Sequence, residues 1–195
     1  MRLVALAALA LACTPARARR PADPRALQGV TLALPPPADT RTTPGIGCGM
    51  VSQDLAARAH KLLVAAFSDA GAKETLAEHA PWTLNVALRE AGMGLENARF
   101  RRTDKPVQDM PEDAPSLAEP RASLFNSGND NAAVMLEATL LREGRVVWRS
   151  TVTGHARSAP CIEAVDKVRE ALADAVDEVR DRVITQISAA REPRP

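Results

Sequence analysis

The chain has no tyrosine, two tryptophans and three phenylalanines, so 3% of its 195 residues are aromatic. Base-stacking surfaces and sugar-binding platforms are made of aromatic rings, and few are present here. Charge shows no excess either, because 25 basic and 24 acidic side chains leave a net +1. A phosphate backbone calls for a basic surplus on one face, so nucleic acid is not an expected partner. Histidine is confined to His60, His79 and His155, none spaced from another as metal ligands are. No metal and no cofactor is expected. The sequence also lacks a Gly-x-Ser-x-Gly nucleophile elbow and any pair of cysteines two residues apart. The apolar run Leu3 to Ala12 covers ten residues, against the roughly 20 that a membrane-spanning helix needs.

That run has meaning by position. Arg2 precedes it and the small residues Ala10 and Ala12 close it, the layout of an export signal over residues 1–12. Ala10-Leu11-Ala12-Cys13 resembles the lipobox of bacterial lipoproteins, which implies that Cys13 receives a lipid anchor. Ala10-x-Ala12 equally suits ordinary signal cleavage, which would leave a soluble periplasmic protein. Arg17, Arg19 and Arg20 outnumber the single charge before the run, against the usual bias, so a membrane-retained amino terminus is a third arrangement.

Export sorts the three cysteines. With Cys13 at the anchor or cut, Cys48 and Cys161 remain as a pair in an oxidising compartment and are expected to be bridged. Each stands shortly before an expected helix, so the bridge would bring two helix starts together. A loop of that length is worth about 4 to 5 kcal/mol in chain-entropy terms. A redox-active thiol pair is the functional alternative.

About 165 residues remain beyond the signal and tether, enough for one core. Residues 13–27, with Pro15, Pro21, Pro24 and four arginines from Arg17 to Arg25, read as a tether. Residues 28–190 then form a single α+β domain, with a tail at 191–195. Val30 to Leu34 alternates as a first strand, ended by Pro35-Pro36-Pro37. Ser52 is placed to cap a helix over Gln53 to Ala70, with Asp54 in its first turn and Leu55, Leu62, Leu63, Ala66 and Phe67 on one face.

Trp82 to Leu88 is a strand by alternation, with Trp82, Leu84, Val86 and Leu88 inward. Proline-rich residues 101–131 read as a flexible loop. Ala133 to Leu141 and Arg145 to Val152 form a hairpin about Gly144, their inward rows being Val134, Leu136, Ala138 and Leu140, then Val146, Trp148 and Val152.

From Ile162, apolar residues step by three or four through Val165, Val168, Leu172, Val176, Val179, Val183 and Ile187. A helix of about 26 residues, roughly 39 Å, follows. That outreaches a small sheet, so Val176, Val179, Val183 and Ile187 in its later turns are candidates for a partner surface, as are Met110 and Leu117 in the loop. The expected architecture is a four-stranded, mainly antiparallel sheet with two helices on one face, in the order strand, helix, three strands, helix.

That order, the lipobox-like Cys13, the tether and the strand Gly144-Arg145-Val146-Val147-Trp148 resemble small Gram-negative outer-membrane lipoproteins, including the lipopolysaccharide-assembly type. The resemblance implies attachment to the outer membrane on its periplasmic side, since Thr14 is not the aspartate that retains lipoproteins at the inner membrane of enteric bacteria.

Catalytic constellations are thin. Glu90, Glu96 and Asp104 could pair as acid and base only if the chain brought them together. Ser52 already has a capping role, and Gly45-Ile46-Gly47-Cys48-Gly49 lacks the Lys-Ser/Thr ending of a phosphate loop. The expected function is therefore that of a non-enzymatic envelope lipoprotein that binds or scaffolds another envelope protein. A lipid or glycolipid carrier is the alternative and predicts an apolar cavity. A thiol-redox or hydrolytic enzyme is the second alternative.

Overall fold

A computed structural model describes residues 23–42, 44–93 and 130–191. The expected signal, Cys13, Met110 and Leu117 lie outside these residues, as does nearly all of the expected loop at 101–131.

The chain is mixed α+β. Its strands are β1 (Thr31–Ala33), β2 (Ala38–Asp39), β3 (Gly45–Gly47), β4 (Met50–Val51), β5 (Lys73–Glu74), β6 (Trp82–Met93), β7 (Asp130–Arg142) and β8 (Arg145–Ala159). Helix α1 (Leu55–Asp69) follows β4, and α2 (Ala164–Arg191) follows β8. The main sheet runs β5-β1-β6-β7-β8, with β2 also paired to β6, while β3 and β4 form a separate hairpin.

The sheet is mostly antiparallel, as expected, through the long pairs β6–β7 and β7–β8, but it has six strands where four were expected. β1, β2 and β5 join by parallel pairing. β2 and β5 are two residues long, too short for any alternation to show in the sequence. They exist because tertiary neighbours supply ladder partners: Lys73 N–H donates to Val30 O at 2.9 Å and Thr40 N–H to Leu88 O at 2.9 Å.

The long strands follow their alternation. Trp82, Leu84, Val86 and Leu88 of β6, and Val134, Leu136, Ala138 and Leu140 of β7, all turn into the core. Glu143 and Gly144 both take positive φ, 51° and 76°, which is the two-residue turn that matches strand twist. In β8 the inward row holds at Val152 and partly at Trp148 but fails at Val146, which is 42% exposed. The cause is a bulge: Leu141 pairs with Val146 and Leu140 with Trp148, so Val147 is an extra residue that flips the pattern before it.

Both helices share one core with this face of the sheet. Helix α1 starts at Leu55 with Asp54 as its N-cap residue, and Ser52 does not cap it; the Ser52 hydroxyl donates to Asp54 Oδ1 at 2.9 Å instead. Helix α2 begins two residues later than its apolar stripe, after a 3-10 turn at Cys161–Glu163, so Ile162 is 83% exposed rather than part of that stripe.

Val176, Val179, Val183 and Ile187 are fully buried and are not a partner surface. The expectation of a protruding helix rested on a short sheet. At about 3.3 Å per residue, the 12 to 15 residues of β6 and β8 extend about 40 to 50 Å. That matches the roughly 42 Å of a helix rising 1.5 Å per residue over 28 residues. The last turn is also tied down, since Arg191 Nη2 donates to Gln28 O at 3.2 Å.

The domain starts before the expected boundary at 28. Leu27 is fully buried and its N–H donates to Ala70 O at 2.9 Å, closing the end of α1. Gly71, at φ 87°, lies so close to this segment that a Cβ would stand 2.3 Å from Pro24 O.

Candidate functional site: the open edge of the sheet

Cys48 and Cys161 are joined in a disulfide across 113 positions of sequence, with Cα atoms 5.5 Å apart. Cys48 sits in the turn of the β3–β4 hairpin at φ 54°, with Ile46 beside it buried in the core, so the glycine-rich stretch is a folded hairpin and not a phosphate cradle. The staple joins this hairpin to the 3-10 turn ahead of α2. Arg169 of α2 stands 3.8 Å from the Asp54 carboxylate at the start of α1.

The other polar residues weighed for chemistry are dispersed. His60 Nε2 lies 2.9 Å from Leu34 O and ties α1 to the chain after β1. His79 is exposed beside Glu78. Burial raises the Glu90 carboxyl above its ordinary value, and its Oε2 has no hydrogen-bond partner. Glu96 and Asp104 lie outside the described residues. Asp39 is held below the usual carboxylate range chiefly by hydrogen bonding from the Arg41 side chain, and Asp54 chiefly by the Ser52 hydroxyl. Among the described residues no three His, Cys, Asp or Glu side chains converge as metal donors, and no helix is long and apolar enough to cross a membrane.

The groove between β1 and α1, lined by Leu32, Leu34, Val64 and Phe67 among others, holds about 90 Å³. Pockets that enclose small ligands run to about 300 Å³ and more, so this groove is smaller than such pockets.

The feature without a structural use is the outer edge of β8. This strand continues to Ala159, seven residues beyond the expected end at Val152, and among the described residues it pairs only with β7. His155 N–H donates to Asp174 Oδ2 at 3.0 Å, so that amide points away from β7. In an antiparallel ladder inward and outward amides alternate, and the register from Leu140↔Trp148 to Ala132↔Ala156 is unbroken. Arg149, Thr151 and Thr153 therefore also present N–H and C=O outward, with no backbone partner among the described residues.

The open stretch is framed at both ends. The Val147 bulge breaks the ladder on one side, and Asp174 occupies the next outward amide on the other. Between them about 16 Å of backbone, five residues at 3.3 Å each, is without a strand partner among the described residues. The side chains of these rungs lie opposite the core, because Ser150, Val152 and Gly154 between them are the buried ones. On that outer face Glu137 of β7 bonds Arg89 of β6 and lies 3.7 Å from Arg149 Nε, one acid shared by two cations. Arg149 Nε also donates to Thr139 Oγ1 at 3.1 Å.

Sequence reading missed this edge by ending the strand early. The signal was present in Thr151-Val152-Thr153, whose alternation continues past the expected end. Gly154, just beyond that stretch, is where α2 crosses the strand: a Cβ there would lie 2.1 Å from Ala171 O and 2.3 Å from Ala175 N.

No protein-family model and no curated protein matches the sequence. Among solved structures, the chain is similar to protein XCC0632 from Xanthomonas campestris, of the DUF330 family. The TM-score is 0.51 at 17% identity, over 89% of this chain and 91% of that one. At that identity the likeness is one of fold. Weaker likenesses are to lipoprotein GNA1162 from Neisseria meningitidis (TM-score 0.41, 10% identity, 82% and 99% covered) and to the PelC dodecamer from Paraburkholderia phytofirmans (0.39, 16%, 81% and 88%).

Proposed function

We propose that this protein is a non-enzymatic cell-envelope lipoprotein, held at the outer membrane through Cys13, that binds another envelope protein in the periplasm as an assembly or scaffold factor. The observation that carries the binding part is the set of three open rungs on β8, which offers a ready template for another chain. The Cys48–Cys161 bridge supports export, because such bonds persist in oxidising compartments. It also leaves neither sulfur as a free thiol for redox chemistry.

Two measurements test the reading. The mass of the mature amino terminus is expected to show a diacylglyceryl group on Cys13. An unmodified Cys13 places the protein free in the periplasm, and an uncleaved leader in a cytosolic protein refutes export altogether. Cross-linking in intact cells followed by purification is expected to recover a defined envelope protein, and recovery of none above background refutes the binding role.

A further inference from the structure

Resting on that reading, we infer that the partner contributes an extended acidic segment, which adds as a new strand to β8 along Arg149, Thr151 and Thr153. Main-chain hydrogen bonds at these outward rungs supply the pairing, and the five-residue window between the bulge and Asp174 sets its register.

The charge of the edge selects the occupant. β8 contains Arg145, Arg149, His155 and Arg157 and no acidic residue. Arg145 and Arg157 are exposed and make no ion pair among the described residues, and Arg149 shares Glu137 with Arg89. From α2, Asp174 is engaged by the His155 amide, and Glu178 is paired with Arg182 at 2.9 Å. An incoming strand with carboxylates on its outer face finds opposite charge at Arg149 and, beyond the window, at Arg157. Opposite-charge cross-strand neighbours stabilise a sheet, and like charges oppose it. A second copy of this chain is the poorer occupant on the same ground, because its own β8 would bring only more cations to the edge. The rungs themselves are not blunted, since no proline or lysine lies between Arg145 and Thr153.

The test is backbone hydrogen exchange on the folded protein with two synthetic probes, a seven-residue peptide alternating glutamate with valine and its counterpart with lysine for glutamate. The acidic peptide is expected to slow exchange at the Arg149, Thr151 and Thr153 amides, and the lysine peptide to bind about tenfold more weakly. Thr151→Pro removes one outward N–H while leaving the β7 ladder intact, a position where an edge strand tolerates proline, and is expected to abolish the protection. The double variant Arg149→Gln with Arg157→Gln removes the two exposed cations that the incoming carboxylates face and is expected to weaken the acidic probe while the fold is kept.

Equal protection by both peptides, protection elsewhere, or none overturns the inference. Self-association that Thr151→Pro abolishes assigns the edge to a second copy and overturns it as well. If Thr151→Pro still recovers the cross-linked envelope partner as well as the wild type does, the partner binds elsewhere: the scaffold reading stands and this inference falls. If the acidic peptide protects the edge but no envelope partner is recovered, the scaffold reading falls and the chemistry of the edge stands.

Discussion

Replacing Gly154 by alanine pits local propensity against tertiary packing, and the two predict opposite signs. In a strand, alanine is ordinarily better than glycine by about 0.5 to 1 kcal/mol, because glycine loses more backbone freedom on folding. Here the added Cβ would meet Ala171 O at 2.1 Å and Ala175 N at 2.3 Å, whereas ordinary contacts begin near 3.4 Å. Both obstacles are backbone, so no rotamer change relieves them and α2 must withdraw by more than 1 Å.

That helix is seated by Val168, Leu172, Val176, Val179 and Val183, all fully buried. A radial gap of about 0.5 to 1 Å already forfeits a quarter to a half of a dispersion contact. Overpacking commonly costs about 1 to 3 kcal/mol. With backbone on backbone the upper end applies, about 3 kcal/mol, a large share of a typical total of about 5 to 15 kcal/mol. For a domain of this size that lowers Tm by roughly 6 to 12 °C. Urea and thermal unfolding followed by far-ultraviolet circular dichroism measure it. Gly144→Ala is the control: nothing lies within 4 Å of its Cβ position at φ 76°, so only the left-handed penalty of about 1 to 2 kcal/mol applies. A Gly154→Ala protein as stable as the wild type, or more so, would refute the close crossing of α2 over β8.

Three further outcomes are expected. Replacing Cys48 and Cys161 together by alanine releases a constraint across 113 positions and should cost about 4 to 5 kcal/mol; alkylation should label the pair in the wild type only after reduction. Ile187→Ala removes a fully buried side chain and should cost about 2 to 5 kcal/mol, while Ile162→Ala at an exposed site should stay within about 0.5 kcal/mol; equal effects would return the last turns of α2 to the surface. Burial raises the Glu90 carboxyl, so the folded state prefers it protonated; its favourable contribution is complete below its ordinary value of 4.5 and is lost as pH rises through the raised one. Glu90→Gln should therefore be more stable than the wild type at neutral pH, with the advantage fading toward pH about 4, as urea midpoints at the two pH values would show.

The staple and the faces of the long elements were legible because they depend on local rules. Trp82 to Leu88 and Ala133 to Leu141 alternate with the two-residue period of a strand, and the row from Val168 to Ile187 recurs with that of a helix; burial follows both, except that Ala133 and Met135 on the opposite face of their strand are buried too. Cys48 and Cys161 were the two thiols left once an export signal was read, and the fold places their Cα atoms 5.5 Å apart.

What the candidate site needs was decided elsewhere. β2 and β5 are too short to show a period and exist through hydrogen bonds donated to the Val30 and Leu88 carbonyls. The same apolar stripe on α2 fits a partner surface or a core equally well, and only the length of β6 to β8 settles that it is core. The open edge depends on which strand lies last in the sheet and on where Asp174 reaches, and both arise from contacts between residues far apart in sequence. The amino-acid order by itself determined element type, facing and the covalent staple, because each follows from spacing along the chain or from the chemistry of a residue. Strand order, the burial of α2 and the exposed rungs of β8 were decided by tertiary structure alone, because a backbone group is open or satisfied only according to what the rest of the fold sets beside it.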